Sequence, residues 1–269
     1  MDRWSFVERD ETLLACRDFG GVGPDALLLH GLSGHAGEWT ETAHWLTARR
    51  RVLGSDARGH GRSDRIPTDV SRDAHVKDAV FLIERLASGP VVLIGQSLGG
   101  HTAILVAAQR PDLVEGLIVA DASPVERNEA TVAELGAALA RWQVPFPSRE
   151  AAIDFFGGPS LTADAWTDGL EEGAGGWRPR FDVDVMVETL RLAVLRSYWE
   201  EWEQIQCPTL VVRAGNGVIP VTEADAMRDR LPQADVIEIS GAKHDLHLDR
   251  PAEWRMAVCR FLDSLEPRT

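Results

Sequence analysis

Short apolar runs alternate with stretches of helical spacing through the first half of the chain. Four runs without in-and-out alternation predict strands buried on both faces: residues 26–29, 51–54, 91–94 and 117–120. Apolar residues at helical intervals predict the helices between them: residues 38–49, 73–87 and 97–109. Strands of this kind, separated by helices, indicate the α/β class, with a mostly parallel sheet flanked by helices.

The strand–helix alternation stops after residue 124 and returns at residue 207. Residues 125–206 instead carry acidic helical segments, a glycine-rich patch and several tryptophans. The alternation then resumes in four further segments: residues 208–212, 223–231, 235–239 and 251–265. We therefore predict an α/β core formed by residues 1–124 and 207–269, interrupted by a mostly helical cap at residues 125–206.

Composition excludes several classes of protein. The 269 residues are 44% hydrophobic and 26% charged, which is typical of a folded globular chain. With 28 basic and 42 acidic residues the formal net charge is −14, so the chain lacks the positive surface that grips nucleic-acid phosphates or anionic lipids. We expect a small-molecule substrate, with neither nucleic acid nor membrane as a partner. The oligomeric state, a homodimer included, is left open.

The cysteine and histidine patterns bear on compartment and cofactors. Cys16, Cys207 and Cys259 lie far apart, so neither a disulfide framework nor a cysteine zinc site fits. The first residues form no apolar leader and no stretch is apolar enough to span a membrane, which favours a cytoplasmic location. No histidine pair shows the spacing of a metal site, and we predict neither a metal nor any other cofactor.

Residues 95–99 read GQSLG and lie between a predicted buried strand and a predicted helix. A turn that exposes a serine hydroxyl at such a junction strains the backbone and needs small residues on either side, which Gly95 and Gly99 provide. The N-terminus of the following helix offers backbone N–H groups to a developing oxyanion. The arrangement predicts Ser97 as a nucleophile; the alternative is a glycine-rich turn in an inert domain.

With these residues the chain resembles the α/β-hydrolase family over nearly its whole length. Residues 30–34 (HGLSG) look like the family loop whose backbone N–H completes the oxyanion hole, which implies Leu32 and Leu98 as the two donors. Residues 56–63 (DARGHGRS) look like a loop that is mainly structural in the family. The family's catalytic histidine follows the last strand, where His244 stands in this chain.

The acid of the expected serine–histidine–acid triad is where the sequence departs from the family. Relatives usually carry an Asp shortly after the penultimate strand, but residues 214–220 (AGNGVIP) contain no carboxylate and place Gly217 or Val218 there. Asp121, directly after the predicted strand 117–120, is the best replacement, because haloalkane dehalogenases and zearalenone-type lactone hydrolases carry their acid at that place, and the chain resembles the latter in its serine nucleophile and overall length. The alternative is that Asp121 only fixes a loop. Lower-ranked substitutes are Glu223, Asp225 and Asn216.

The resemblance implies acyl transfer by a serine hydrolase. Ser97, deprotonated by His244, would attack a carboxylic ester or lactone, and water would then hydrolyse the acyl-enzyme. Aromatic side chains of the cap predict a small apolar or aromatic substrate, although packing inside the cap would also explain them. The candidate substrate-binding residues are Trp142, Trp166, Trp177 and Phe155. Three alternatives remain open: a carbon–carbon bond hydrolase, a cofactor-free dioxygenase of the hydroxyquinaldine type, and a non-catalytic ligand receptor.

Overall fold

The computed structural model describes residues 3–142 and 144–266. Its strands are β1 (Arg3–Arg9), β2 (Thr12–Gly20), β3 (Asp25–Leu29), β4 (Arg51–Ser55), β5 (Val91–Gln96), β6 (Val114–Ala120), β7 (Leu170–Gly173), β8 (Gly176–Pro179), β9 (Thr209–Asn216) and β10 (Ala234–Lys243). Its α-helices are α1 (Thr40–Leu46), α2 (Arg72–Leu86), α3 (Leu98–Gln109), α4 (Glu129–Ala140), α5 (Arg149–Phe155), α6 (Leu161–Asp168), α7 (Val183–Val194), α8 (Trp199–Glu203), α9 (Val221–Arg230), α10 (Leu246–Asp249) and α11 (Pro251–Leu265).

Eight strands form one sheet in the order β1-β2-β4-β3-β5-β6-β9-β10. The last six in this order pair in parallel, and β1 and β2 add an antiparallel edge beside β4. The predicted α/β class and mostly parallel sheet are confirmed, and each strand and helix predicted for the core has an observed counterpart. Two strands that the sequence did not predict, β1 and β2, precede the first predicted one. β1 lies at the sheet edge, where its residues stay exposed or half-buried and form no apolar run.

The central strands are buried on both faces, which explains their unbroken apolar runs. All five residues of β3 and all six of β5 are buried. Leu27 and Leu93 pack on one face of the sheet against α2 and α3, whereas Leu28 and Ile94 pack on the other against α1 and α11. Truncating one such side chain to alanine typically costs about 2–5 kcal/mol of stability. The strand ends that carry the chemistry are therefore held on a well-packed support.

Between β6 and β9 the chain forms the helices α4–α8 and the hairpin β7–β8. The glycine-rich patch is the turn of this hairpin, where Gly175 (φ 88°) and Gly176 (φ 130°) adopt backbone that disfavours side chains. The segment is thus helical apart from two strands of four residues each, which are too short to show a period-2 pattern in the sequence. The domain boundaries after residues 124 and 206 stay a prediction.

The carboxyl ends of the parallel strands meet at one edge of the sheet. Gln96 at the end of β5 lies beside Ala120 at the end of β6, and Ala120 lies beside Val212 of β9. The residues that follow these ends come from distant parts of the sequence and share one small region. Open α/β sheets bind their ligands at this edge, and the candidate site lies there.

Candidate active site

Ser97 lies at the turn between β5 and α3. Its φ of 51° and ψ of −117° place a non-glycine residue in strained backbone, as the expected serine turn requires. A Cβ on Gly95 would lie 2.3 Å from Gly99 O, and a Cβ on Gly99 would lie 2.2 Å from Leu29 O. The two glycines are therefore required because the backbones of β3, β5 and α3 approach closely beneath the serine.

Ser97, His244 and Asp121 form a continuous chain of hydrogen bonds. Ser97 Oγ lies 2.9 Å from His244 Nε2, and His244 Nδ1 lies 2.7 Å from Asp121 Oδ2. With the Nδ1–H donating to the carboxylate, Nε2 is left to accept the serine proton. The three residues follow the carboxyl ends of β5, β10 and β6. The structure thus brings together the three residues selected from the sequence, and their catalytic roles remain a prediction.

The Asp121 carboxylate is buried and held by backbone donors. Its side chain is 0% exposed, compared with 35% for His244. Oδ1 accepts the N–H of Ala214 at 3.1 Å, and Oδ2 accepts the N–H of Val218 at 2.9 Å. Both donors belong to the end of β9 or the loop after it, where relatives usually carry the acid. The segment at the end of β9 carries no acid of its own, but its backbone N–H groups position the carboxylate of Asp121.

Gly217 leaves the space that the Asp121 carboxylate occupies. A Cβ built on Gly217 would lie 2.1 Å from Asp121 Oδ2 and 2.6 Å from Oδ1. Real Cβ atoms do not approach an oxygen this closely, because the overlap is strongly repulsive. In this backbone conformation an acid at position 217 and an acid at position 121 therefore exclude one another. The carboxylate of Asp121 requires a glycine at position 217, which explains why no acid stands there.

The lower-ranked acid candidates have partners elsewhere. Glu223 is bidentate with Arg127, at 2.5 and 2.7 Å. Asp225 pairs with Arg228 at 2.6 Å on the surface of α9. Asn216 donates its side-chain amide to a backbone carbonyl of β10 at 3.3 Å. Among the described residues, none of the three reaches the imidazole.

The charge environment of His244 favours its protonated form. Burial lowers the pKa of His244, but the hydrogen bond to Asp121 and the negative charges of Asp245 and Asp121 together outweigh it, so the pKa lies above its ordinary value. Asp245 also accepts the side-chain N–H groups of Gln96, at 3.3 Å, and of Trp166, at 3.0 Å. Sequence reasoning missed Asp245, although its position beside His244 was a usable signal.

The two predicted oxyanion donors, Leu32 and Leu98, belong to two different segments beside Ser97. Leu98 is the first residue of α3, so its N–H precedes the first hydrogen bond of the helix, which His101 N–H makes to Ser97 O at 2.9 Å. Gly31 brings the loop of Leu32 close, since a Cβ on Gly31 would lie 3.3 Å from Ser97 Cβ. Leu32 and Leu98 both line the cavity at Ser97. That their backbone N–H groups form an oxyanion hole stays a prediction.

The loop that carries Leu32 is fixed by a neutral histidine. His30 Nδ1–H donates to Gly31 O at 2.7 Å, and its Nε2 accepts the N–H of Ala57 at 2.9 Å. Burial lowers the pKa of His30 to about 4, so the ring remains neutral and makes both bonds near neutral pH. Ala57 belongs to the loop at residues 56–63, so this loop helps to hold His30 and, through it, the loop of Leu32. A structural role is what the resemblance implies for residues 56–63.

A cavity of about 520 Å³ opens above Ser97, beneath the cap helices. Trp142, Phe155 and Trp166, three of the four aromatic residues selected from the sequence, line it. Phe156 also lines it, together with apolar residues that sequence reasoning did not select: Leu135, Leu139, Leu190 and Val194. Their positions on α4 and α7 gave no signal, because apolar residues on a short helix look the same whether they face a cavity or a core. The size suits a small organic ligand.

Trp177 was selected incorrectly as a residue of this cavity. It lies in β8, where its backbone pairs with Phe146 at 2.8 and 2.9 Å. Its side chain lines a second cavity on the other side of α6, among arginines. The reason for the error is that the hairpin β7–β8 was not anticipated, and successive residues of a strand face opposite sides.

The cavity wall also carries a few polar groups. Arg127 lies in it with its guanidinium committed to Glu223. His101 packs edge-on against Tyr198 at 4.4 Å between ring centroids, and burial holds the pKa of His101 well below its ordinary value. The Oγ of Ser33 is buried and has no hydrogen-bond partner among the described residues. None of these was selected from the sequence.

No group of three or more His, Cys, Asp or Glu side chains in residues 3–142 and 144–266 is arranged to hold a metal ion. No helix in the same ranges has both the length and the apolar character needed to cross a bilayer.

Comparison with known proteins places the chain in a family. The model of the alpha/beta hydrolase family matches residues 26–257. The chain belongs to the α/β-hydrolase family. This α/β-hydrolase is 31% identical over 251 residues to the sn-1-specific diacylglycerol lipase ABHD11 of Mus musculus, covering 89% of this chain and 81% of the lipase.

A second relative is similar in both sequence and structure. The 2-(acetamidomethylene)succinate hydrolase of Mesorhizobium japonicum is 29% identical over 251 residues, covering 91% of this α/β-hydrolase and 90% of the relative. A crystal structure of E-2-(acetamidomethylene)succinate hydrolase superimposes with a TM-score of 0.89 and 26% identity, covering 98% of this chain and 100% of the other. Hydrolase activity is therefore supported at the level of the family, while the bond cleaved is not fixed by these relatives.

Proposed function

We propose that this α/β-hydrolase cleaves a carboxylic ester or lactone with an apolar or aromatic group, through an acyl-enzyme at Ser97. One observation carries the proposal: the hydrogen-bonded chain of Ser97, His244 and Asp121 ends at the floor of a largely apolar cavity. A serine hydroxyl bonded to an oriented imidazole is the arrangement that produces a nucleophile near neutral pH.

The proposed mechanism uses groups that are already in contact. Ser97 Oγ attacks the substrate carbonyl while His244 Nε2 takes its proton, and Asp121 stabilises the imidazolium that forms. The N–H groups of Leu32 and Leu98 stabilise the oxyanion; losing one such donor typically costs about 10²–10³ in turnover. The imidazolium then protonates the leaving alkoxide. Water, deprotonated by His244, hydrolyses the acyl-enzyme by the reverse sequence.

The named relatives support an ester and also suggest a second candidate. One is described as a diacylglycerol lipase, and a diacylglycerol is an ester with apolar acyl chains. The other is described as a hydrolase of an acetamido-substituted succinate, which carries carboxylates. A carboxylate of such a substrate would need a cation in the cavity wall, where Arg127 lies. The guanidinium group of Arg127 already forms a bidentate ion pair with Glu223. The apolar wall and the neutralised cation favour the ester.

The experiment is a panel of p-nitrophenyl esters and lactones, run beside 2-(acetamidomethylene)succinate. We expect turnover of the esters, with the rate rising with the apolar size of the acyl group until the cavity is full. Ser97→Ala should lower kcat by about 10⁴-fold or more, because the nucleophile is removed. Ser264→Ala is the matched control, since Ser264 donates only to a backbone carbonyl of α11. Turnover of the acetamido-succinate alone would replace the ester with the second candidate.

Covalent labelling separates the enzyme from a receptor. A fluorophosphonate probe should label wild type and leave Ser97→Ala unlabelled, because labelling requires an activated serine. Wild type that binds apolar ligands without being labelled would favour the non-catalytic receptor. Oxygen consumption with a heterocyclic enol, in the absence of ester turnover, would favour the dioxygenase.

A further inference from the structure

A second cavity lies between the core and the cap, separate from the one at Ser97. Its volume is about 330 Å³. Arg17 and Arg62 line it from the core, and Arg149 and Arg180 line it from the cap. Four guanidinium groups around one cavity are unexpected in a chain whose net charge is −14. The surrounding charges decide whether they neutralise one another or remain available.

The two carboxylates of this cavity are already bound to groups other than the side chains of Arg62 and Arg180. Asp168 pairs with Arg149 at 2.6 Å. The two carboxylate oxygens of the buried Asp56 accept hydrogen bonds from the backbone N–H groups of Ala36, at 2.6 Å, and Arg62, at 2.7 Å. These two acids are the only ones that line the cavity in the described part of the chain. Neither acid forms an ion pair with Arg62 or Arg180, so within the described lining the positive charges of these two arginines are not neutralised by a carboxylate.

Arg180 faces the cavity without a carboxylate. Among the described residues neither Arg180 nor Arg62 forms an ion pair, and Arg180 Nε is buried without a hydrogen-bond partner. Burial, together with the positive charge of Arg62, lowers the pKa of Arg180 from its ordinary value. Arg62 contacts the face of Trp4 at 4.9 Å instead. An anion placed between the two guanidinium groups would relieve both their desolvation and their repulsion.

Thr167 adds an uncharged polar side chain to the lining of the same cavity. It is 0% exposed, lines the cavity, and its Oγ1 has no hydrogen-bond partner in the described residues. Buried hydroxyl groups are normally bonded, so this one is available to a ligand. Its neighbour His35 is not available, because Nε2 donates to Ala165 O at 2.9 Å and Nδ1 accepts the N–H of Gly37 at 3.1 Å.

We infer that this second cavity binds a phosphate group, held by the guanidinium groups of Arg62 and Arg180 and by the hydroxyl of Thr167, with Arg17 and Arg149 completing the positive surroundings. A phosphate near neutral pH carries close to two negative charges, which suits the two guanidinium groups of Arg62 and Arg180. Its oxygens suit the planar guanidinium fork and accept from a hydroxyl. Because the ligating residues come from both core and cap, the bound group would tie the two together.

The site is distinct from the catalytic cavity but adjoins it through α6. Trp166 of that helix lines the cavity at Ser97 and donates to Asp245, whereas the next residue, Thr167, lines the second cavity. The proposal does not depend on the ester hydrolase activity. The Ser97→Ala variant should therefore bind phosphate as tightly as wild type.

The test is isothermal titration calorimetry of the whole protein with inorganic phosphate and with phenyl phosphate, at constant ionic strength. We expect one saturable site in wild type, with Kd raised about tenfold or more by Arg180→Gln, because a charge-assisted bond is lost. Thr167→Val keeps the shape, removes the hydroxyl, and should raise Kd about threefold to tenfold. Arg228→Gln, which removes an arginine paired with Asp225 on the surface, is the matched control.

The titration distinguishes a phosphate ester from free phosphate and also shows whether the site exists. Tighter binding of phenyl phosphate than of inorganic phosphate would assign the site to a phosphate ester, and equal binding would assign it to the free ion. The absence of saturable binding in wild type would overturn the proposal. Equal Kd values for Arg180→Gln, Thr167→Val and Arg228→Gln would overturn it as well. If Arg180→Gln does not fold, Thr167→Val alone decides.

Discussion

The ends of the neighbouring strands β6 and β9 lie side by side at the candidate site, and only one of them carries an acid. The end of β6 carries the buried carboxylate of Asp121, whereas the end of β9 carries a glycine and the backbone donors that hold that carboxylate. Relatives of the usual pattern have the acid on the second of these ends. The Asp121 carboxylate after β6 and the space left by Gly217 after β9 therefore depend on each other.

The largest expected effect comes from moving the acid from one end to the other. Asp121→Gly should lower kcat/KM by about 10⁴-fold, because the imidazolium loses its partner. Adding Gly217→Asp should recover at least about tenfold of that loss, because a side chain at 217 points into the space that the Asp121 carboxylate vacates. The measurement is kcat/KM on one p-nitrophenyl ester.

A matched variant keeps this experiment decisive. Asp121→Gly with Gly217→Asn has the same shape as the double variant but no negative charge, and should show no recovery. Equal activity of the Asp and Asn versions would show that position 217 does not reach the imidazole, and the two strand ends would then not be interchangeable.

A smaller effect is expected from filling the space at position 217 alone. Gly217→Ala places a methyl group where Asp121 Oδ2 lies 2.1 Å away, so the carboxylate or the loop must move. Overpacking of this kind typically costs about 1–3 kcal/mol in the free energy of unfolding. Turnover should fall together with stability, as measured by denaturant unfolding and by kcat. Gly89→Ala is the control, because a Cβ at Gly89 meets nothing within 4 Å.

The smallest effect concerns the pH dependence of activity. The raised pKa of His244 means that kcat/KM should rise with pH through a value above about 6.5, because the base acts only when neutral. Asp245→Asn removes one of the negative charges that raise this pKa, so the acidic limb should move to lower pH. Asp225→Asn, remote from the imidazole, should leave the limb in place. A limb that stays put in Asp245→Asn would contradict the part assigned to Asp245.

The raised pKa of His244 also has a consequence for stability. Because its folded pKa lies above the unfolded value, His244 stabilises the fold below about pH 6.5, and this contribution is lost as pH rises through the folded pKa. Activity and this part of the stability therefore change in opposite directions over the same pH range.

The core strands and the candidate nucleophile could be predicted because each leaves a local pattern. Ser97 is marked by the glycines that its turn requires, and the buried strands are marked by unbroken apolar runs. Asp121 was selected because the place after β9 held no acid and because the families that the chain resembles include members with an acid after the corresponding strand. The clash between Gly217 and the Asp121 carboxylate, which explains that absence, joins residues 96 positions apart and requires coordinates.

The cap was harder to predict for a physical reason. Its helices are short and amphipathic, and an apolar residue faces either a cavity or a packed core with the same local sequence. Trp166 and Trp177 were selected on the same grounds, yet they line different cavities. The cationic second cavity left no sequence signal, because its arginines come from four separate segments.

The most direct test of the account compares three single variants on one ester. Asp121→Asn should lower kcat/KM by about 10⁴-fold, because the neutral amide cannot stabilise the imidazolium. Asp225→Asn, whose carboxylate pairs with Arg228 on the surface, should stay within about threefold of wild type, since changes away from the reacting groups are usually small. Glu223→Gln should retain far more activity than Asp121→Asn, because Glu223 pairs with Arg127 in the cavity wall and not with the imidazole. Full activity in Asp121→Asn, together with loss of activity in either of the others, would contradict the account.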